Sequence, residues 1–545
     1  MLQWKKSGDY NSIADFIEKM SGSTETDIFH PVYTPPTAID GMEKVAAVLQ
    51  GNTNPIVVIG DYDVDGITAT AILSWMFRAQ KDRSRCKFII PRRFTDGYGI
   101  PHRVIDSIHN SIVITVDNGI TATDELRRLR ANANIVIVLD HHQPGTELPP
   151  ESVLCVDPHI CPEKNGFVDY CGAGLAYKLA EMMIPGYKKE LQIIKALACI
   201  GTIADCVPLI GDNRRIVKEG LELINSDIRF KLPWGMRAIL DCCGQETFSA
   251  ETIAFRIAPL LNAPGRLYDQ GGTSVLNTLI CNDQEVAYTA SEKMVEINNT
   301  RKALVSKWTE PIMVKAQEQQ RQGMCPIIIY EPHMDPGIVG IVTGKVSEAL
   351  NMPIFLFTET KDDISQDPIL HGSGRSSGDY NFIPVLDAIR NVVVQCGGHT
   401  GAAGISVRRS NMDAMTEVMR NLPQSQNFRA GSDILYDFEI HQKDVPAMMA
   451  ELKRFEPFGI GVPMPLFAIR NVKASPKRPV MLMGASQEHL RINTDEFSAV
   501  GFGLSNRIDI PSSVPLLDMV GTITENEFRG RITPQVLLKD IGVSE

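Results

Sequence analysis

The chain has 545 residues, too many for one hydrophobic core, because such cores stop growing at roughly 250–300 residues; two large domains and something smaller are expected. Its 43% hydrophobic and 22% charged residues are ordinary for a globular protein, no apolar run approaches the roughly 18 residues of a membrane span, and MLQWKKSGDYNSIADF lacks a signal-peptide core, so a cytoplasmic protein with no membrane partner is expected. A net charge of −11 argues against non-specific coating of nucleic acid and confines any DNA contact to a local basic groove, while 11 scattered cysteines without a CxxC pair support neither a disulfide framework nor a zinc ribbon.

From Ile56 the chain alternates β-rich and helical runs: IVVIG (56–60), ITATAILSWMFRAQ, KFIIP (87–91), SIVITV (111–116), TATDELRRLRAN and IVIVL (135–139). Apolar, β-branched strands bounded by polar turns predict a parallel sheet covered on both faces. The helical runs GAGLAYKLAEMMI and LQIIKALACIGTI carry this α/β domain towards residue 280. Residues 283–322 have helical composition with few breakers; one helix of that length would span on the order of 60 Å. Pro311 is expected to kink it. It reads as a connector to a second lobe rather than as two helices of the first domain. PIIIY, GIVGIVTGKVSEALN, PIFLF, FIPVLDAIRNVVVQ, GISVRR and NMDAMTEVMRNL form a second, smaller strand–helix alternation. From about Leu466, five or six short strands suggest a small barrel such as an OB-fold.

The strongest local signal is IVVIGDYDVDGITAT, in which Asp61, Asp63 and Asp65 alternate directly after an apolar strand and can face one side. Clustered aspartates repel one another unless cations are present, and hard divalent ions are the usual answer. An EF-hand-like loop does not fit, because Ile72 stands where the last glutamate would be. Later strands also end in acids: Asp117 after SIVITV, then Asp140, His141 and His142 after IVIVL, and Asp157 in LCVDPH. Ligands of open α/β sheets bind outside the carboxyl ends of the strands, so these groups are expected to share one cleft, closed by Asp205 of GTIADCVPL. Imidazole and carboxylate together suit Mn²⁺, Mg²⁺ or Zn²⁺, and two such ions can activate a water and stabilise a leaving phosphodiester oxygen.

DYDVDG, VDNG, LDHH and GTIADCVPL stand in the order of the four metal-binding motifs of the DHH phosphoesterases, and PRRFTDGYGIP (91–101), RIAPLLNAPGRL (256–267), GSGRSS (372–377), CGGHTGAAG (396–404) and FEPFGIGVPMPLF (455–467) resemble segments of the RecJ exonucleases within that family, over roughly residues 30–545. The resemblance implies metal ligation by Asp63, Asp65, Asp117, His141 and Asp205, with Asp117 shared between two ions, Mn²⁺ or Mg²⁺. Asp61 takes the place where many relatives have histidine, His142 that of the second-shell or acid histidine, and Asp140 joins them as a catalytic candidate. Pro264, Gly374 and Val462 depart from the residues usual in relatives, alanine, alanine and asparagine.

Arginine offers phosphate a bidentate fork, and glycine-rich loops let backbone N–H groups approach an anion. Arg93, Arg266 and Arg375 each read as part of a turn-like stretch near glycine, with Ser373 and His399 as further donors. The resemblance implies that Arg93, Arg266, Ser373 and Arg375 hold a 5′ phosphate and that His399 contacts the backbone near the scissile bond. His102, His109, His333 and His441 read as surface or helix-capping residues, and the methionines near 412–419, 448–449 and 481–483 as packing. Phe497, Phe502 and Phe528 read as core residues first and base-stacking platforms second.

The expected architecture is α/β: a parallel-sheet DHH domain with an N-terminal segment (1–282), a long connector helix (283–322), a smaller α/β DHH-associated domain (323–428), and a linker with a C-terminal OB-like β-barrel (429–545). The implied activity is 5′→3′ hydrolysis of single-stranded DNA to 5′-mononucleotides in DNA repair or recombination, by a monomer working with a helicase and a single-strand-binding protein. The rivals are an oligonucleotide or cyclic-dinucleotide phosphodiesterase, disfavoured by the long C-terminal extension, and an inactive DHH-fold replication scaffold, disfavoured by the intact carboxylates.

Overall fold

The structure is a computed structural model that describes residues 4–359, 365–376, 380–428, 431, 433–476, 479–484, 487–507, 516–528 and 531–544. Ser377 and the side chain of Phe528 lie outside the described residues.

The first domain is built on β1 (Ile56–Ile59), β2 (Cys86–Ile89), β3 (Ile112–Val116), β4 (Ile135–Leu139) and β5 (Leu154–Val156), all parallel, in the order β2-β1-β3-β4-β5. The two-residue period of the strands divides their side chains between two cores. Ile56, Val58, Ile112, Ile114, Ile137 and Leu139 face one, while Val57, Ile59, Val113, Val136 and Val138 face the other. The chain runs outward from β1 to β2 and returns to β3 on the opposite side of β1. The carboxyl ends of β1 and β3 therefore form the switch point at which such sheets bind ligands.

Three helices close the first core over that switch point: α1 (Val64–Ala79), α2 (Gly172–Met183) and α3 (Lys188–Ala204). Further along, α4 (Ala258–Leu267) follows a π-helical turn at Ile253–Ile257. The connector is one helix, α5 (Gln284–Arg321), capped by Asp283 and continuous through the exposed Pro311. Its Met294 is buried in the first core, whereas Val305, Ile312 and Ala316 belong to a core shared with the second lobe, so the helix is held at both ends.

The second lobe carries β6 (Ile327–Tyr330), α6 (Val339–Leu350), β7 (Ile354–Glu359), β8 (Ile369–Arg375), β9 (Gln395–Gly398) and β10 (Ala402–Arg408), with sheet order β9-β10-β8-β7-β6. Only the β6–β7 pair is parallel. The glycine-rich GSGRSS, read from sequence as turn-like around Arg375, is mostly strand, as is CGGHTGAAG: Gly372 and Gly374 lie opposite Phe357 and Phe355 of β7, whose rings would meet an added Cβ at 2.3 and 2.5 Å. Here glycine marks the close approach of an aromatic ring rather than a turn.

The C-terminal module is a seven-stranded sheet running from Phe438–Ile440 at one edge to Val480–Met483 at the other, open among the described residues where a small closed barrel is expected. Two of its strands are long, Leu517–Phe528 and Arg531–Val543. Residues at the start of the chain fold with this module rather than with the first domain. Trp4–Lys6 pairs with Ile434–Tyr436, and Ile13, Phe16, Ile17 and Ile28 are buried beside Val445, Leu452 and Phe455.

Candidate active site

The acidic residues occupy the switch point. Asp61 follows β1; Asp63 caps α1, its side chain accepting from the Gly66 N–H at 3.1 Å, and Asp65 lies in the first turn of that helix. Asp117 follows β3 with φ at +62°, Asp140, His141 and His142 follow β4, and Asp205 caps the end of α3. Asn118 braces the two central strands by donating to the carbonyls of Ile59 and Val116.

These groups converge. His141 Nε2 lies 3.0 Å from an Asp117 oxygen and 3.7 Å from oxygens of both Asp65 and Asp205. Ligand atoms of Asp61, Asp63 and Asp117, of Asp65, His141 and Asp205, and of Asp117, His141 and His142 each lie within 4.8 Å of one another. The N-terminus of α2 supports one side, the Gly172 and Ala173 N–H groups donating to Asp65 at 2.6 and 2.8 Å. A Cβ on Gly172 would stand 2.5 Å from that of Asp117, so only glycine admits the helix this close.

Electrostatically the cluster is frustrated. Burial first, and the neighbouring carboxylates second, push the carboxyls of Asp61, Asp117 and Asp205 well above the ordinary aspartate value. Asp61 Oδ1 is buried with no hydrogen-bond partner. Burial lowers the pKa of His141, leaving a neutral imidazole able to offer a lone pair. Asp140 is satisfied by protein instead: it accepts from Ile120 N–H at 2.9 Å and His141 N–H at 2.8 Å, and pairs with His142 Nδ1 at 2.8 Å. Burial opposes charge on His142, but the bond to Asp140 and the nearby carboxylates outweigh it and push the imidazole up to about 9. The Tyr98 hydroxyl stands 3.4 Å from the same nitrogen.

Facing the acids are arginines. Arg93 lies over the Tyr62 ring, 4.7 Å from its centroid, in the one genuine turn among the three arginine segments expected to be turn-like. Arg266 is instead on α4 and Arg375 ends β8. Arg266 reaches the Gly337 carbonyl at 3.4 Å, and its pKa is pulled to about 10 by burial and then by Arg93 and Arg301, Arg375 adding to them and Asp63 opposing. Arg375 donates to Ser373 Oγ at 2.8 Å, and α6 presses against both, a Cβ on Gly340 standing 3.0 Å from the guanidinium. His399 sits at the exposed tip of the β9–β10 hairpin, its Nδ1 accepting from Gly401 N–H. Arg301 of α5 was not singled out by sequence; its buried Nε has no acceptor among the described residues, a sign that only the fold displays.

The remaining expectations divide. His102 pairs with Glu125, His109 Nε2 donates to the Asp106 carbonyl, and His441 caps a helical turn. Met415 and Met419 are core residues, but Met481 is exposed. Phe497 is buried, whereas Phe502 is 66% exposed beside His489 and free to stack.

Three family models match successive parts of the chain: the DHH family, N-terminal domain, over residues 55–204, the DHHA1 domain over 323–424, and the RecJ OB domain over 436–540. The single-stranded-DNA-specific exonuclease RecJ of Thermus thermophilus is 30% identical over 522 residues, 93% of this chain and 72% of its own length. The chain belongs to the RecJ family. The RecJ of Bacillus subtilis is also 30% identical, over 534 residues and 94% of this chain, which spans 64% of that relative's length. The crystal structure of RecJ from Thermus thermophilus in complex with Mn²⁺ superposes with a TM-score of 0.80 at 27% identity, covering 98% of this chain and 76% of that one. Within the RecJ frame, the DHH match contains every acid of the cluster but Asp205, and the DHHA1 match contains Ser373, Arg375 and His399. Arg266 and Arg301 fall between the two matches.

Proposed function

We propose that this chain is an exonuclease that hydrolyses single-stranded DNA from its 5′ end to 5′-mononucleotides, using two divalent metal ions, Mn²⁺ or Mg²⁺. The observation that carries the reading is the opposition of a buried carboxylate cluster, with one oxygen orphaned on Asp61, to a group of arginines that, among the described residues, no carboxylate neutralises at close range.

The donor set fits the ions. Asp63, Asp65, Asp117, His141 and Asp205, with Asp61, supply hard oxygen and imidazole ligands in overlapping groups, and positive charge would relieve the repulsion that burial imposes on them. Bound there, a pair of ions supplies an activated water and stabilises the departing oxygen of the phosphodiester.

The protein's own groups do the rest. Asp140 holds His142 by its Nδ1, and the His142 side chain stays 42% exposed, placed to give a proton to the leaving 3′ oxygen. Arg93, Arg266, Ser373 and Arg375 take the 5′-terminal phosphate, and His399 reaches the backbone from the hairpin tip. Each cleavage leaves a new 5′ phosphate on the shortened strand, which recreates the group the arginines bind. The open C-terminal sheet, with Phe502 exposed, receives the incoming strand. No described helix is long and apolar enough to cross a membrane, and we place the enzyme in the cytoplasm as a monomer supplied by a helicase and a single-strand-binding protein.

The test is mononucleotide release from a 5′-phosphorylated single strand with Mn²⁺, comparing the wild type with Asp117→Ala and single strand with duplex. Release from the single strand alone, lost in the variant, is expected. No release with any divalent ion, or shortening of a 3′-labelled strand from its labelled end, overturns the reading.

A further inference from the structure

We propose that Asp269 is a positioning residue for the 5′ phosphate: it anchors the loop that carries Arg93 to the helix end that carries Arg266, and so fixes the spacing of the two guanidinium groups. The inference rests on the phosphate reading of those arginines given above.

Asp269 has both carboxylate oxygens committed to one short segment. Oδ1 accepts from the N–H groups of Phe94 and Thr95 at 3.0 and 3.3 Å, and Oδ2 accepts from the Thr95 hydroxyl at 2.8 Å. The bonds begin at the residue after Arg93, and Asp269 lies three residues beyond Arg266, so one side chain joins phosphate candidates that are far apart in sequence.

Asp269 itself is firmly seated. Gly271 presses on the last turn of α4 so closely that a Cβ there would lie 2.0 Å from the Pro264 carbonyl carbon. Gly265 and Gly272 both back onto the Tyr62 carbonyl, at 3.3 and 3.5 Å from an added Cβ, while Arg93 covers the ring of the same tyrosine. The arginine loop, the end of α4 and the aspartate loop thus meet at Tyr62. Asp96 ties the two ends of the arginine loop together by accepting from Arg92 N–H at 2.8 Å, and it pairs with Arg103. Between these anchors Asp269 is what fixes Phe94 and Thr95, so without it Arg93 would have to be ordered by the substrate, a cost that falls on binding rather than on the chemical step.

The experiment measures kcat and KM with Mn²⁺ on one single-stranded sequence bearing either a 5′ phosphate or a 5′ hydroxyl, for the wild type, Asp269→Ala, Arg93→Ala and the double variant, with thermal melting of each. Asp269→Ala is expected to raise KM about 10-fold on the phosphorylated strand, with kcat within about 2-fold and KM on the hydroxyl strand unchanged. The double variant should match Arg93→Ala, because the anchor acts through that arginine. If Asp269→Ala does not fold, Asp269→Asn, which keeps one weaker acceptor oxygen for the two N–H groups and replaces the other with a donor, should give a smaller shift with the same substrate dependence. Equal KM changes on both strands, or additive effects in the double variant, overturn the inference alone. An Arg93→Ala enzyme that keeps the full preference for the 5′ phosphate overturns the phosphate reading and the inference with it.

Discussion

Asp117 holds a left-handed backbone, which costs a non-glycine residue on the order of 1 kcal/mol, and buries a carboxylate among others of like charge. On the proposed reading such a residue serves the chemistry at the expense of the fold. Asp117→Asn, which tolerates the same backbone, should therefore stabilise the metal-free protein by about 1 kcal/mol in denaturant titrations while lowering kcat at least about 1,000-fold. Mn²⁺ should raise the melting temperature of the wild type and do so far less in the variant, since ligands stabilise only the fold that binds them. The sign with pH follows from burial and mutual repulsion, which raise Asp61, Asp117 and Asp205 in the metal-free fold. Their stabilisation is complete below the unfolded aspartate value and is lost as pH climbs through the raised values. Metal-free melting temperatures of the wild type should thus fall from acid towards neutral pH more steeply than those of Asp117→Asn. Asp61 and Asp117 were legible in the sequence because each follows a strand that announces itself by β-branched residues, whereas Asp205 ends a helix and was legible only through the motif GTIADCVPL. Arg301 and Asp269 were not: an arginine in NNTRKALVSKW looks like any solvated helix face, and the partners of Asp269 lie 174 and 175 residues away.

Among the elements, the strands of the first domain were readable to within a residue or two, because a fully buried parallel strand is apolar throughout. The helix of 38 residues was also readable from composition. The glycine-rich strands of the second lobe were not, since what makes β8 a strand is the pair of phenylalanine rings on β7 that fill the space its glycines leave. Glycine at position 374, where the family resemblance implies alanine, is explained by the same contact. Gly374→Ala should lower the melting temperature and weaken substrate binding through the adjacent Arg375, and Phe355→Leu in the same chain should recover part of both losses. Failure of the second change to recover either would show that the ring is not the obstacle.

Across the whole molecule, one fully buried arginine joins parts far apart in the sequence. Arg214, on a helix of the first domain, donates to the carbonyls of Ile28, Phe455, Glu456 and Pro457. Arg214→Met would leave those carbonyls unpaired in the interior and should cost about 3 kcal/mol or more, measured by urea unfolding. Arg214→Lys, with three donors and no fork, should recover only a fraction. The sequence held no hint of this clasp, nor of where residues 4–30 belong, because their apolar helix reads the same whichever module buries it.

That placement sets a timetable for biosynthesis. The helix bearing Ile13, Phe16 and Ile17 leaves the ribosome early, yet the residues that cover it, from Val445 onward, are made tens of seconds later at about 5–20 residues per second. Through that interval the nascent chain presents a greasy helix with no permanent home, an invitation to ribosome-associated chaperones, and the two modules are locked together only after the segment from Val445 onward has been made.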